Sequence, residues 1–189
     1  MNIFIDTISN PAFIFLFNSN REIIDKITWE VRGNESSTLI PKIDELLEKN
    51  KLDYGDLDNL VVVNGPGSFT GIRTTILAIN TINYIIDKNI TALSYFDLFN
   101  NYPIIKSSSK RDAFVKYDKD TYIEIIENDK LLEILSNKNI TTVYGEINPD
   151  VFENIKIIDK IDYISIIKNI KLDKAKQIQA LYIKKPNIS

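Results

Sequence analysis

An apolar run that ends among three glycines constrains the fold of this chain more than any other segment. Residues 57–63, LDNLVVV, are too apolar for a strand with one face in solvent. The next residues, NGPGSFTGIR, place Gly65, Gly67 and Gly71 directly before a helical pattern. In a strand, glycine turn and helix, backbone amides and the N-terminus of the helix can face an anion. The segment is therefore a candidate phosphate-binding turn in an α/β fold.

The spacing of the glycines differs from that of the known phosphate loops. A P-loop needs GxxxxGK[ST], whereas here Thr70 stands five positions after Gly65 and the lysine is missing. A dinucleotide fingerprint needs GxGxxG, and the third glycine comes one residue late, at Gly71. Spacing alone thus favours a structural turn over a nucleotide site.

A structural explanation accounts for the residues of the turn. Pro66 fixes one φ angle, and Gly65 and Gly67 supply backbone conformations that other residues avoid. Ser68 or Thr70 can then cap the helix. The turn is thus expected to reverse the chain tightly and to start a helix.

Gly71 and Arg73 follow in the first turn of that helix. Glycine at such a position costs about 1 kcal/mol relative to alanine, so we expect something to pack there too closely for a Cβ atom. At the glycines of NGPGSFTGIR we expect this close neighbour to be another protein. Arg73 would clamp carbonyl oxygens of the turn or meet a carboxylate of a partner.

Asp6 and Thr7 end the first predicted strand. A carboxylate at the C-terminal end of a strand can hold Mg²⁺ through water, as in actin-like ATPases. The segment DTISN, however, lacks the glycine by which a backbone approaches phosphate. A turn formed by a strand-ending Asp and Thr is the simpler interpretation.

Composition removes several classes of chemistry. The 189-residue chain has no Cys and no His, which excludes disulfides, zinc-finger sites, imidazole metal ligands and His-based triads. Its net charge is −3 and it has no long basic block, so we expect no electrostatic footprint for holding nucleic acid alone. No apolar run approaches the roughly 20 residues of a membrane span, and no basic region precedes an apolar one at the start. We expect a cytoplasmic protein without a membrane contact.

The order of predicted elements is strands, helix, strand, helix and strand, followed by a smaller mixed region. Three strands open the chain as an antiparallel meander, at 2–7, 11–17 and 22–31. A helix then spans SSTLIPKIDELLEKN, with Ser36 or Ser37 as N-cap and Pro41 near the first turn. Later elements are a strand at 89–95, a short helix at 96–102, a hairpin at 114–126, a helix at 130–135, a strand at 140–145 and a helical segment within 162–186.

The helix after the glycine turn has two apolar sides. Isoleucines make one dense stripe, at Ile72, Ile76, Ile79, Ile82 and Ile86. The other side carries apolar or small residues, and no charge stands between Arg73 and Asp87. Such a helix is either sandwiched within its own fold or half-buried in a partner.

The segment NGPGSFTGIRTTILAIN closely resembles the signature of the TsaB (YeaZ) family. Asp6 and Thr7 match its opening DT, SSTLIPKIDELL resembles its first helix, and QALYIKKP resembles its C-terminal YLR segment. Two positions depart from the family pattern. Glu35 stands where a His often opens the first helix, and Ser107 stands where an Asp opens a DARRGEVY-like stretch.

The resemblance implies a two-domain, actin-like (ASKHA) α/β fold with ribonuclease-H-like halves. Its first domain, 1–98, would carry the partner-binding helices, and its second, 99–189, would be reduced. The resemblance also implies a role in forming threonylcarbamoyl-adenosine at position 37 of tRNAs that read ANN codons. In that system the family member pairs with the metal-carrying catalytic subunit TsaD, and the pair recruits the ATPase TsaE. This chain would then need no cofactor and would meet tRNA only within the complex, with ATP or ADP and Mg²⁺ at the complex interface.

Two groups of candidate residues follow, and neither is catalytic or metal-ligating. The signature group, a candidate nucleotide or subunit-boundary contact, consists of Asp6, Thr7, Gly65, Pro66, Gly67, Ser68, Phe69, Thr70, Gly71 and Arg73. The partner-interface group consists of Leu39, Ile43, Thr74, Leu77, Ala78 and Thr81. In the isolated protein the same helices would offer a homodimer interface.

Two other activities stay open beside the noncatalytic scaffold. An actin-like ATP-binding phosphotransferase or ATPase would use Asp6 with Mg²⁺ and the Gly65–Gly71 turn on phosphate. Proteolysis, an older idea attached to the family, would need a Ser–Lys or carboxylate mechanism, and no motif for either stands out.

Overall fold

The computed structural model describes residues 1–31 and 35–183, apart from the side chains of residues 35 and 36. The chain divides into two compact units. The first consists of Met1–Tyr95 and Tyr163–Leu181, and the second of Phe96–Asp162 with Tyr182 and Ile183. Residues 163–181 belong to the first unit, whereas the sequence analysis places all of 99–189 in a second domain.

The first unit is built on a mixed five-stranded sheet. Its strands are β1 (Asn2–Asp6), β2 (Ala12–Phe17), β3 (Ile23–Trp29), β4 (Asn59–Val63) and β5 (Asn89–Leu93), in the order β3-β2-β1-β4-β5. The first three pair antiparallel, as the predicted meander requires. β4 runs parallel to both β1 and β5. Four residues of β4 are buried, which fits its continuous apolar sequence.

Two helices complete the core of this unit, α1 (Glu35–Lys49) and α2 (Phe69–Ile86). The predicted capping of α1 was wrong, because the helix begins at Glu35 and so contains Ser36 and Ser37. For the same reason Pro41 lies beyond the first turn and removes one intrahelical hydrogen bond. The isoleucine stripe of α2 is confirmed: Ile72, Ile76 and Ile79 are buried in the core, and Ile82 and Ile86 pack against it.

The second unit carries its own five-stranded sheet, in the order β10-β9-β6-β7-β8. Its elements are β6 (Ile104–Ser107), β7 (Asp112–Lys116), β8 (Glu124–Glu127), α3 (Asn128–Asn137), β9 (Thr142–Tyr144) and β10 (Lys156–Ile158). The predicted hairpin is confirmed by the antiparallel pairing of β7 with β8. β6 and β10 were not predicted, and the expected helix at 96–102 is a single 3₁₀ turn at Tyr95–Leu98.

The C-terminal part of the first unit differs most from the sequence prediction. A short helix, α4, covers only Tyr163–Asn169. Residues 170–183 form no further helix or strand, and we call Asp173–Leu181 the C-terminal strap. Ile90 of β5 donates its N–H to the Ala175 carbonyl at 2.8 Å, and the two residues form an antiparallel bridge. The predicted helix over the strap was wrong, because the backbone groups of the strap bond to other elements. Within the described residues, no helix is both long enough and apolar enough to cross a membrane.

Candidate functional site

The glycine turn is in contact with the C-terminal strap. Gly65 has a φ of +133°, a conformation that side chains rarely adopt. A Cβ atom placed there would lie 2.7 Å from the carbonyl oxygen of Leu181, and the Leu181 N–H donates to the Asn64 carbonyl at 2.8 Å. The close approach at Gly65 is therefore made by this chain itself. The expectation that another protein is the neighbour was wrong at this glycine.

Three asparagines of the strand end and of α2 bind the backbone of the strap. The side-chain amide of Asn64 donates to the Gln179 carbonyl at 2.9 Å. Asn80 makes a two-way pair with Ile178, donating to its carbonyl at 2.9 Å and accepting from its N–H at 3.1 Å. Asn83, which is buried, donates to the Lys176 carbonyl at 2.9 Å. These side chains make the hydrogen bonds to the strap that a neighbouring strand would otherwise make. We call Asn64, Asn80 and Asn83 the asparagine seam.

The remaining residues of the turn have ordinary structural roles. Pro66 is buried. A Cβ atom at Gly67 would lie 3.2 Å from the side chain of Ile8, and Gly67 has no positive φ, so space rather than backbone conformation explains this glycine. Ser68 is the N-cap of α2 and accepts from the Gly71 N–H at 3.4 Å, as predicted. Gly71 itself is buried in the first turn.

Asp6 is fully buried at the end of β1, and both of its carboxyl oxygens accept hydrogen bonds. Oδ1 accepts from the N–H groups of Ile8 and Ser9, at 2.8 and 3.0 Å. Oδ2 accepts from the hydroxyls of Ser9 and Tyr163, at 2.7 and 2.8 Å. Beside it, the hydroxyls of Thr7 and Thr75 are 2.8 Å apart. Mg²⁺ held at Asp6 would require these bonds to break, so the geometry favours the structural interpretation of this carboxyl group.

Tyr163 was missed by the sequence analysis. Its ring lies against three phenylalanines of the sheet, with centroid distances of 5.8 Å to Phe4, 4.8 Å to Phe13 and 4.9 Å to Phe15. Together the ring contacts and the hydroxyl bond hold α4 on the sheet. No short motif marks this residue, because its partners lie about 150 positions earlier in the chain.

The side of α2 away from the core carries a continuous row of exposed residues. Leu77, Tyr84 and Ile85 have 70%, 88% and 78% of their surface exposed. The Arg73 guanidinium lies 5.7 Å from the centroid of the Phe69 ring, which is itself partly exposed. Phe69, Arg73, Leu77, Thr81 and Ile85 follow one another at intervals of four positions, and Tyr84 stands three after Thr81, so they share one face of the helix. We call this face the α2 outer face; it consists of Phe69, Arg73, Leu77, Thr81, Tyr84 and Ile85.

The predicted partner-interface group is divided by the structure. Leu39 and Ile43 of α1 are each only 1% exposed and belong to the hydrophobic core, so their assignment to a partner interface is corrected. Leu77 and Thr81 are exposed on the α2 outer face. Thr74 is half-buried, and Ala78 is half-buried against the core. Periodicity identified the amphipathic pattern of α1, whereas the family resemblance assigned its apolar side to a partner.

Comparisons with known proteins place this geometry in context. Residues 30–102, which include α1, the glycine turn and α2, match the family model of TsaD, tRNA N6-adenosine threonylcarbamoyltransferase. A TsaB of Bacillus subtilis (strain 168), a tRNA threonylcarbamoyladenosine biosynthesis protein, is 32% identical over 48% of this chain. Another TsaB, from Buchnera aphidicola subsp. Baizongia pistaciae (strain Bp), is 28% identical over 53% of this chain. The resemblance to the TsaB (YeaZ) family is confirmed.

The matches to these TsaB proteins are partial, and the match of the fold is nearly complete. The matched regions cover 39% of the Bacillus protein and 48% of the Buchnera protein, so less than half the length of either relative is aligned. YeaZ from Pseudomonas aeruginosa superposes with a TM-score of 0.71 at 12% identity, covering 96% of this chain and 99% of that one. A second structure from Pseudomonas aeruginosa, described as similar to the peptidase YeaZ, gives 0.73 at 11% identity, covering 97% and 99%. The chain therefore has the fold of these YeaZ structures, a mixed α/β fold with two sheets.

Proposed function

We propose that this protein is a noncatalytic subunit of a tRNA threonylcarbamoyl-adenosine-forming complex, and that it pairs through the α2 outer face with a TsaD-like catalytic subunit. The observation that carries the proposal is the exposed apolar row of Leu77, Tyr84 and Ile85 on a helix that begins at the TsaB-like signature. The matched relatives are named for tRNA threonylcarbamoyladenosine biosynthesis, which supplies the pathway. The proposed subunit has an actin-like fold.

The chemistry of the signature supports a binding role over a catalytic one. The carboxyl group of Asp6 is saturated by hydrogen bonds inside the protein. The space beside Gly65, where a phosphate would have to approach, is occupied by the strap. The signature residues that remain in solvent are Ser68, Phe69, Thr70 and Arg73, and they lie at the start of α2. In our proposal Ser68 and Thr70 extend the α2 outer face, to which Phe69 and Arg73 belong, toward the subunit boundary. An ATP or ADP with Mg²⁺ there would be held mainly by the partner, and recruitment of a TsaE-like ATPase would follow pairing.

An apolar helix face needs a partner for a physical reason. Large side chains such as Leu77 and Ile85 gain roughly 1.5–3 kcal/mol each when a protein surface covers them. Tyr84 and Arg73 are residue types that are enriched at the energetic centres of interfaces. In the isolated chain the same face would serve a homodimer, which competes with the catalytic subunit.

The experiment is a pull-down of this chain by a tagged TsaD-like subunit from the same organism. The variant carries Leu77→Asp and Tyr84→Asp, which place two charges at positions that are exposed in the isolated chain. We expect recovery of the pair to fall at least tenfold while the circular dichroism spectrum of the variant stays that of the natural chain. Ala78 is a less suitable position, because it is half-buried against the core and a charge there would also disturb folding.

Tyr122→Asp is the matched control, because Tyr122 is 91% exposed in the second unit. This variant should pair like the natural chain. Reconstitution of tRNA modification from the catalytic subunit, the ATPase and threonylcarbamoyl-adenylate, the donor of the transferred group in that system, then tests the role itself. Activity that is unchanged when this chain is left out would refute the scaffold role. Full pairing by the double variant would place the interface elsewhere.

A further inference from the structure

A row of lysines crosses from α4 to the strap, although the chain as a whole is acidic. Lys168, Lys171, Lys174 and Lys176 stand within nine residues, and Asp173 is the single acid among them. This stretch therefore carries a net charge of +3 in a chain whose total is −3. All four lysines are exposed. We call them the lysine strip.

The backbone that carries the lysine strip is fixed at several points. Arg21, in the turn between β2 and β3, donates from Nη2 to the Ile170 carbonyl at 3.2 Å and adds a further cation at that end. At the other end, the Asp173 N–H donates to the Thr91 hydroxyl at 2.8 Å, and Ala175 pairs with β5. The strip therefore runs from the turn between β2 and β3 to β5, the edge strand of the same sheet. A fixed array of cations loses less conformational freedom on binding than a mobile tail.

The ammonium groups of this strip are largely uncompensated. Lys176 pairs with Asp87, whose Oδ1 lies 3.0 Å from its Nζ. Across residues 1–31 and 35–183, the structure contains no ion pair of Lys168, Lys171 or Lys174. Three adjacent cations without acidic partners repel one another, and a polyanion that displaces their counterions relieves that repulsion.

We propose that the lysine strip contacts the phosphate backbone of the tRNA that the proposed complex modifies. This inference rests on the proposed function, because the pathway makes RNA the polyanion that the complex must hold. Lysine ammonium groups act as point charges toward phosphate and read no sequence, so the strip would position the tRNA without selecting it. The net charge of −3 led us to expect no site for nucleic acid on this chain alone. That value averages the lysine strip with the acidic remainder of the chain.

The test is fluorescence anisotropy with a labelled, unmodified tRNA transcript that reads an ANN codon. It is run on the full chain alone and in the complex with the TsaD-like subunit, over a series of KCl concentrations. The variant is Lys168→Gln, Lys171→Gln and Lys174→Gln combined. We expect affinity at low salt to fall at least about tenfold, and the slope of log K against log[KCl] to become shallower by about 2 to 3.

The control is Lys119→Gln, Lys130→Gln and Lys156→Gln combined, since these exposed lysines of the second unit make the same change in total charge. The control should bind tRNA like the natural chain. An equal loss of tRNA affinity in both triple variants would refute a specific contact by the lysine strip and would indicate a general effect of charge. Co-purification of the catalytic subunit is scored in parallel. A strip variant that loses this subunit while keeping its own tRNA affinity would instead assign the strip to an acidic protein surface, without refuting the proposed function.

Discussion

The hydroxyl of Tyr163 donates a 2.8 Å hydrogen bond to Oδ2 of Asp6, a residue 157 positions earlier in the chain. The bond joins the first helix after the second unit to the end of the first strand. Both residues are buried, and Asp6 is the strand-ending acid that an actin-like ATPase would use for its metal. In this protein the carboxylate of Asp6 instead binds Tyr163 and so connects α4 to β1.

Removing that hydroxyl should destabilise the protein without disturbing its packing. Tyr163→Phe keeps the ring contacts with Phe4, Phe13 and Phe15 but leaves one oxygen of Asp6 short of a donor. We expect the free energy of unfolding to fall by about 1–3 kcal/mol. Urea denaturation measures it, with Tyr122→Phe as a control in an exposed ring. Equal midpoints for the two variants would contradict a structural role for the bond.

Alanine at Gly65 should be far more harmful than alanine at Gly67. At Gly65 the new Cβ would meet a backbone oxygen at 2.7 Å and would sit at a φ of +133°. We expect a loss of about 1–3 kcal/mol or more from strain alone. At Gly67 the nearest atoms belong to the movable side chain of Ile8, so the loss should be smaller. Thermal denaturation of the two variants gives the ranking, and the reverse order would refute the contact with the strap.

Asn83 should contribute more stability than a surface asparagine. Its side chain donates to the carbonyls of Lys88 and Lys176 and accepts from the Lys88 N–H. Asn83→Ala leaves these backbone groups without their partner, at a cost of about 2–4 kcal/mol. Asn169→Ala is the control, because Asn169 is exposed and bonds only within α4. Hydrogen exchange should also show faster exchange in the strap of the Asn83 variant, and unchanged protection there would argue against the seam.

The ion pair between Asp25 of β3 and Lys49 should make the free energy of unfolding depend on pH. The Lys49 ammonium, 2.8 Å away, donates to this carboxylate and holds the pKa of Asp25 below its ordinary value near 4. The stabilisation is therefore complete above pH 4 and is lost as the pH falls through the lower folded value. Lys49 is mostly in solvent, so screening limits the effect to about 1 kcal/mol or less.

The comparison is between the natural chain and Asp25→Asn in urea at pH 6 and at pH 3. The difference in unfolding free energy should shrink at the lower pH. Asp159→Asn, at an exposed position, serves as the control and should show no such change. A difference for Asp25→Asn that is the same at both pH values would contradict the ion pair as its source.

Local patterns predicted the elements whose hydrogen bonds are local or whose apolar faces are periodic. The meander, both long helices and the cap at Ser68 follow from residues that are close in sequence. The direction of the apolar faces was also correct, since the isoleucine stripe of α2 is buried. Periodicity gives the direction of a face and not the identity of what covers it. The family resemblance supplied that identity and assigned Leu39 and Ile43 to a partner, although they lie in the core.

Long-range contacts explain what the sequence analysis missed. The strap has a helical pattern of residues, yet its backbone pairs with asparagine side chains nearly 100 positions away. Short strands such as β6 and β10 exist because neighbours complete their ladders, and they have only three or four residues of their own. The exposed row on α2 could be predicted in part, because no charge interrupts it between Arg73 and Asp87.

The strap also dictates an order of maturation during protein synthesis. The sheet of the second unit is contiguous in sequence, from Ile104 to Ile158, so it can close as soon as it leaves the ribosome. The first unit, although translated earlier, stays open at Gly65 and along its asparagine seam until Leu181 has emerged. The part of the protein that is made first is thus the last to be finished, and a nascent chain that stalls before the strap would expose the signature turn to chaperones and proteases.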